Sequence, residues 1–255
     1  MHKLRLIARL DVKNEFVIKG IHLEGLRKVG DPIELAKKYY SDGIDEVLFM
    51  DAVASLYDRN NLFHIIEKAC KEVFIPITIG GGIRSVNDIE KALKSGADKI
   101  ALNTQAIRTP EIIKEASRIY GTQCIVGSIE AKRRNNTWEA YIDNGRQETG
   151  INAVDWAKQL EDLGAGEILV TSVDMEGTKK GFDIELVKQI SEIVNIPVIA
   201  SGGAGSPADI QKVIHYSNNL SGVAIASLIH YNMFSVKTIK NNLGDNNILV
   251  RNGFN

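Results

Sequence analysis

Cysteine is scarce in this 255-residue chain: Cys70 and Cys124 stand alone, with no CxxC spacing and no nearby ligand cluster. That argues against a disulfide framework or a cysteine-based metal site, and two buried free thiols are expected. The five histidines, at 2, 22, 64, 215 and 230, are too scattered for a metal motif, so neither metal nor cofactor is expected. An excess of one charge is also missing, since 31 Lys and Arg face 32 Asp and Glu for a net charge of -1. No global basic field recruits nucleic acid or an anionic membrane surface. Long hydrophobic runs are absent too. Nothing approaches the roughly 18 apolar residues of a membrane span, and Met1–Ile7 is too short an apolar stretch for a signal peptide, which makes cytoplasmic residence the expectation. What remains, 44% hydrophobic and 25% charged residues, is the composition of an ordinary globular protein long enough to bury a substantial core.

Glycine, by contrast, is placed with a pattern. Thr78-Ile79-Gly80-Gly81-Gly82-Ile83-Arg84 recurs in altered form as Ile199-Ala200-Ser201-Gly202-Gly203-Ala204-Gly205, each an apolar run ending in glycines just before a helix. Glycine admits positive φ and close approach to the backbone, and the N–H groups opening a helix attract anions. Either turn alone could be a tight strand-to-helix connection without a ligand. Their repetition points to two phosphate cradles.

Short Val/Ile/Leu-rich runs alternate with amphipathic helical segments, as in repeated βα units. Eight strands are expected, at Arg5–Val12, Glu46–Ala52, Ile75–Gly80, Lys99–Asn103, Gln123–Ile129, Glu167–Val173, Pro197–Ser201 and Gly222–Ala226. Asp31-Pro32, Ser85 with Asp88, Thr109-Pro110 and Ser206-Pro207 supply helix starts. Eight such units fit a single α/β domain over residues 1–255, a (β/α)₈ TIM barrel, with a doubly wound open sheet as the competitor. The spacing of 119 residues between Asp11 and Glu130, and of 121 between Gly82 and Gly203, suggests two duplicated half-barrels at about 1–121 and 122–245. Residues 14–30 form a long first loop and 131–150 another after the fifth strand; Trp138–Ile142 followed by Asp143-Asn144-Gly145-Arg146 predicts a small hairpin there. Such loops serve as lids or as ornament.

In a barrel the carboxyl ends of the strands share one mouth. Asp11 and Glu130 then face each other across it, and two carboxyl groups flanking a substrate divide acid and base work if their surroundings separate their pKa values; otherwise they cap helices. A bisphosphate grip would combine Gly82, Asn103 and Thr104 at one end with Gly202, Gly203, Ala226 and Ser227 at the other. Thr171 belongs to the same set, and Lys19 adds a mobile cation from the first loop. Arg9, Asp51 (in the segment Asp51–Ser55), Asp174 and Glu176 are further mouth residues. At the closed floor, Arg5, Glu46, Lys99 and Glu167 each start a strand and can satisfy one another as a salt-bridged ring, either a stability layer or a gate.

Over nearly its whole length the chain resembles the cyclase subunit of imidazole glycerol phosphate synthase, the HisF family. The matching motifs include Leu10-Asp11-Val12-Lys13, Lys19-Gly20, Gly30-Asp31-Pro32, Gly80-Gly81-Gly82-Ile83, Asn103-Thr104, Ala131-Lys132-Arg133, Gly164–Leu169, Gly177-Thr178 and Ala200–Gly203. The resemblance implies a lyase of histidine biosynthesis. It would use ammonia to convert a bisphosphorylated ribulosyl aminoimidazole carboxamide nucleotide into imidazole glycerol phosphate and the carboxamide ribotide, with Asp11 and Glu130 as catalytic groups. It implies further that a HisH-like glutaminase docks on the floor as the other half of a heterodimer, that ammonia enters through Arg5, Glu46, Lys99 and Glu167, and that Asp98 lies at the partner interface. The chain departs from the family at Glu130, where aspartate is usual, and at Arg9, where a small cysteine is usual. An inward Arg9 would fill the mouth or lower a neighbouring carboxylate's pKa. Two alternative readings are a paralogue delivering ammonia to a surface-polysaccharide sugar and a catalytically weakened phosphate-binding scaffold for a glutaminase.

Overall fold

A computed structural model describes residues 3–53 and 62–251. Met1, His2 and the Ala54-Ser55 end of the mouth segment lie outside the described residues.

The first strand, β1 (Arg5–Lys13), runs into an antiparallel ribbon of β2 (Phe16–Ile21) and β3 (Glu24–Gly30), followed by α1 (Pro32–Ser41). Then come β4 (Glu46–Asp51), α2 (Phe63–Ala69), β5 (Ile77–Gly80), α3 (Val86–Lys94), β6 (Lys99–Leu102), α4 (Thr104–Arg108) and α5 (Glu111–Tyr120). The long strand β7 (Ile125–Arg134) carries a second ribbon, β8 (Thr137–Ile142) and β9 (Gln147–Asn152). The chain continues through α6 (Ala153–Asp162), β10 (Glu167–Ser172), α7 (Ile184–Ile193), β11 (Val198–Ser201), α8 (Pro207–His215), β12 (Leu220–Ile225), α9 (Ser227–His230) and α10 (Val236–Asp245).

Strand order closes on itself as β1-β4-β5-β6-β7-β10-β11-β12 and back to β1, every pairing parallel. The fold is therefore a single (β/α)₈ TIM barrel, and the open sheet is excluded by the pairing of β10 with β7. Alternation along β1 explains how the barrel fills. Leu6, Ala8, Leu10 and Val12 face outward into the helix layer, while Ile7 joins Leu48, Met50, Ala101, Val126, Leu169, Ile199 and Ala224 in a separate apolar layer inside. Each fully buried Leu or Ile of this kind contributes about 1.5–3 kcal/mol by leaving water.

Helix starts follow the local chemistry. Asp31 accepts from Ile33 and Glu34 N–H ahead of Pro32, and Ser85 with Asp88 forms a capping box that Ser206 with Asp209 repeats before α8. The expected loop over 14–30 is instead the β2–β3 ribbon, turned by His22 and Leu23 at φ 52° and 63°. Both turn positions need positive φ, where Asn-Gly is the usual signal. The hairpin expected around Trp138 is present, but its partner strand β7 runs on to Arg134. Cys70 and Cys124 are unbridged and only half-buried. Among the described residues no helix is long and apolar enough to cross a membrane.

Candidate active site

The alternation that points Ile7 inward does the same for Arg5, Arg9 and Asp11. Asp11 lies near the carboxyl end of β1 and Glu130 lies on β7, four strands away in either direction round the closed barrel, so the two carboxyl groups come from opposite walls. Both are buried, as is Arg9 between them in the mouth. The Arg9 guanidinium donates from Nε to Asp11 Oδ1 at 2.9 Å and from Nη1 to the hydroxyls of Thr171 (2.8 Å) and Ser201 (3.1 Å). Arg9 is thus inward-facing, and the Thr171 hydroxyl expected at a phosphate accepts from it instead.

These surroundings separate the two acids. Burial alone would raise the Asp11 carboxyl, but the charges of Arg9 and Lys19 and the Arg9 hydrogen bond outweigh it and hold it below its ordinary value. At Glu130 burial dominates and pushes the carboxyl up to about 7, although Arg9 and the Gly145 N–H oppose it and Asp11 and Asp143 assist. Glu130 Oε2 accepts from Asn103 Nδ2 at 2.9 Å and from the Gly145 amide at 2.8 Å.

Next to Glu130 a cavity of about 220 Å³ opens between Gly81–Arg84, Asn103–Gln105, Asp51 and Asn144. It gathers Gly82, Asn103 and Thr104 as expected. Gly81 and Gly82 stand at φ 85° and 73°, and a Cβ on Gly81 would meet the Asp51 carbonyl at 2.4 Å, so glycine is dictated twice over there. Asp51 also accepts from Val53 N–H at 3.0 Å. The second turn, at φ 95° and 103° for Gly202 and Gly203, is packed differently: Gly203 O accepts from Gly181 N–H at 2.8 Å. Ala226 and Ser227, both buried, follow the adjacent strand β12.

Lys19 is not on an irregular loop. Strand β2 places it in the mouth, where Nζ contacts Glu176 and lies 3.7 Å from Asp11 Oδ2. The tip of this ribbon rests on the loop after β10, with His22 N–H donating to Glu176 O at 2.8 Å. Asp174 is exposed, and its carboxylate accepts from Arg133 N–H at 2.7 Å.

At the other end of the barrel the expected ring is closed. Arg5 Nη1 donates to Glu46 at 2.8 Å and Nη2 to Glu167, while Lys99 Nζ reaches Glu167 at 3.0 Å and Glu46 at 3.4 Å. Asp98 beside it is exposed, and its Oδ2 accepts from Ile77 N–H at 2.8 Å.

The model of the histidine biosynthesis protein family matches residues 5–235. Imidazole glycerol phosphate synthase subunit HisF of Legionella pneumophila is 60% identical over 206 residues, covering 80% of this chain and 97% of its own. The HisF subunits of Thermococcus onnurineus and Pyrococcus furiosus are 47% and 46% identical over 247 residues, 97% of this chain. The chain belongs to the HisF family.

Within this family member, several parts of the site escaped sequence reasoning. The Asp143-Asn144-Gly145 turn reads in sequence only as a hairpin loop, yet its Gly145 amide holds Glu130, its Asp143 amide donates to Thr104 Oγ1 at 3.0 Å, and Asn144 lines the cavity. Ser201 reads as the last residue of a strand, and its role as an Arg9 acceptor depends on a contact 192 residues away. Tyr39 and His230 form a buried pair, Tyr39 Oη lying 2.7 Å from His230 Nδ1, and burial lowers His230 to about 4.

Proposed function

We propose that the chain is the ammonia-using cyclase subunit of imidazole glycerol phosphate synthase, acting with a glutaminase in a heterodimer. The observation that carries the reading is the pairing, on opposite walls of one mouth, of Asp11, bonded to Arg9 and held below its ordinary value, with Glu130, whose carboxyl burial pushes up to about 7, beside a cavity shaped by glycine for an anion. One phosphate of the bisphosphorylated nucleotide binds at Gly82, Asn103 and Thr104. The other binds at Gly203, Ala226 and Ser227, with Lys19 as its cation. Asp11 takes a proton as ammonia adds to the ribulosyl carbonyl, whose oxygen leaves as water, and Glu130 returns one as the imidazole ring closes, releasing imidazole glycerol phosphate and the carboxamide ribotide.

The glutaminase docks on the floor in this reading, around the ring of Arg5, Glu46, Lys99 and Glu167 through which ammonia enters, with Asp98 at the interface. Exposed apolar side chains support that placement. Phe74, Ile119, Ile193, Tyr216 and Leu249 are each at least 38% exposed and follow or end helices that lead back to the floor.

The purified chain is expected to turn over the bisphosphate nucleotide with saturating ammonium salt alone, and with glutamine only when a glutaminase partner is added. Absence of both products at saturating ammonia, followed by chromatography and mass, overturns the proposal.

A further inference from the structure

We propose that Arg9 is a positioning residue that, anchored by Thr171 and Ser201, fixes Asp11 in one orientation as the base and so leaves the acid role to Glu130. This rests on the acid–base reading above and adds how the site enforces it.

The geometry carries the argument. Thr171 stands on β10 and Ser201 on β11, which are three and two strands from β1 around the barrel, so the Arg9 side chain reaches most of the way across the interior. Two hydroxyls on other strands hold the guanidinium, and its remaining fork edge meets Asp11 Oδ1. A planar guanidinium can do this with several directed donors at once, whereas an ammonium cannot hold the same fork. With Oδ1 taken, only Oδ2 of Asp11 is left for the reaction, on the side of Lys19 at 3.7 Å.

The charged and titratable groups around Asp11 are Arg9 on its own strand, Lys19 from β2, His230 from α9 and Glu130 from β7, with Glu176 behind Lys19. His230 is uncharged at neutral pH because burial lowers it to about 4, and Lys19 is shared with Glu176. Arg9 is therefore the cation committed to Asp11. Burial of such a carboxylate without a committed cation favours its neutral form, and a neutral Asp11 cannot serve as the base.

The test uses the full chain with ammonium salt and the bisphosphate nucleotide, together with a carboxyl-carbon NMR titration of Asp11, assigned by its loss in Asp11→Asn. Arg9→Met is expected to raise the Asp11 midpoint by about one unit or more and to lower kcat at least tenfold with KM changed less than twofold. Arg9→Lys should bring the midpoint back while recovering only part of the rate. A Thr171→Val/Ser201→Ala double variant keeps the cation but frees it, and should lower kcat several-fold while the Asp11 midpoint holds. That variant guards against failure of Arg9→Met to fold. An unmoved midpoint in folded Arg9→Met, or a wild-type kcat in the double variant, overturns the proposal. A shifted midpoint in a chain whose wild type makes no product instead counts against the cyclase reading alone.

Discussion

Glu130→Gln is expected to lower ammonia-supported kcat by about 10²- to 10⁴-fold, the usual worth of a positioned general acid, with little change in KM. Glutamine keeps the length and can still accept from Asn103 and Gly145, so the phosphate cavity survives. What is lost is a proton that can be given up. Glu130→Asp should also reduce activity, by about 10²-fold, because pulling the acid back by a methylene misplaces it by about 1 Å. A large gain on that change would mark the glutamate as a decayed site.

The same substitution has the opposite effect on stability. Burial raises Glu130 in the folded state to about 7, from the ordinary 4.5. A carboxyl raised in the folded state adds stability fully present below the unfolded value and lost as pH rises through the folded one. Above pH 7 the native chain therefore holds a buried, poorly compensated charge. Thermal melts should show Glu130→Gln gaining on wild type as pH rises from 5 to 8. A loss of rate combined with that gain separates a catalytic role from a merely structural one.

Arg5→Met is the second large expectation. Arg5 is 7% exposed and bonds both Glu46 and Glu167, and Ser221 Oγ accepts from the same guanidinium at 2.7 Å. Removing it leaves two buried carboxylates to share Lys99. Breaking one partner out of a buried ion network costs about 3–5 kcal/mol, far more than an exposed pair. Urea unfolding should show a loss of that size without a change in slope. A loss under 1 kcal/mol would mean that the ring is solvated in solution and contributes little to the fold.

How much of this was legible beforehand depends on the range of the signal. The eight barrel strands follow from local runs and punctuation, and the inward positions of Arg5 and Asp11 follow from alternation along one strand. The glycine turns declare themselves because positive φ and close backbone approach both demand that residue. The β2–β3 ribbon does not, since its turn uses His22-Leu23, neither of which marks a hairpin. Lys19 looks like a surface lysine until Glu176, 157 residues away, is found against it. Arg9 is the sharpest case: a cation inside a barrel contradicts hydrophobic patterning, and it is tolerated because Asp11, Thr171 and Ser201 converge on it from three strands. Such long-range pairings carry no periodicity.

The pH dependence of kcat/KM for the bisphosphate nucleotide, measured from pH 6 to 9 at fixed free ammonia concentration, tests most directly the claim that Asp11 and Glu130 work as base and acid. With Asp11 held ionised and Glu130 titrating at about 7, activity should fall as pH rises through that value, ahead of a second fall from Lys19, which burial lowers to about 8, and Glu130→Gln should abolish the first fall along with most of the rate. A flat profile across pH 7 in the active wild-type chain would contradict the account.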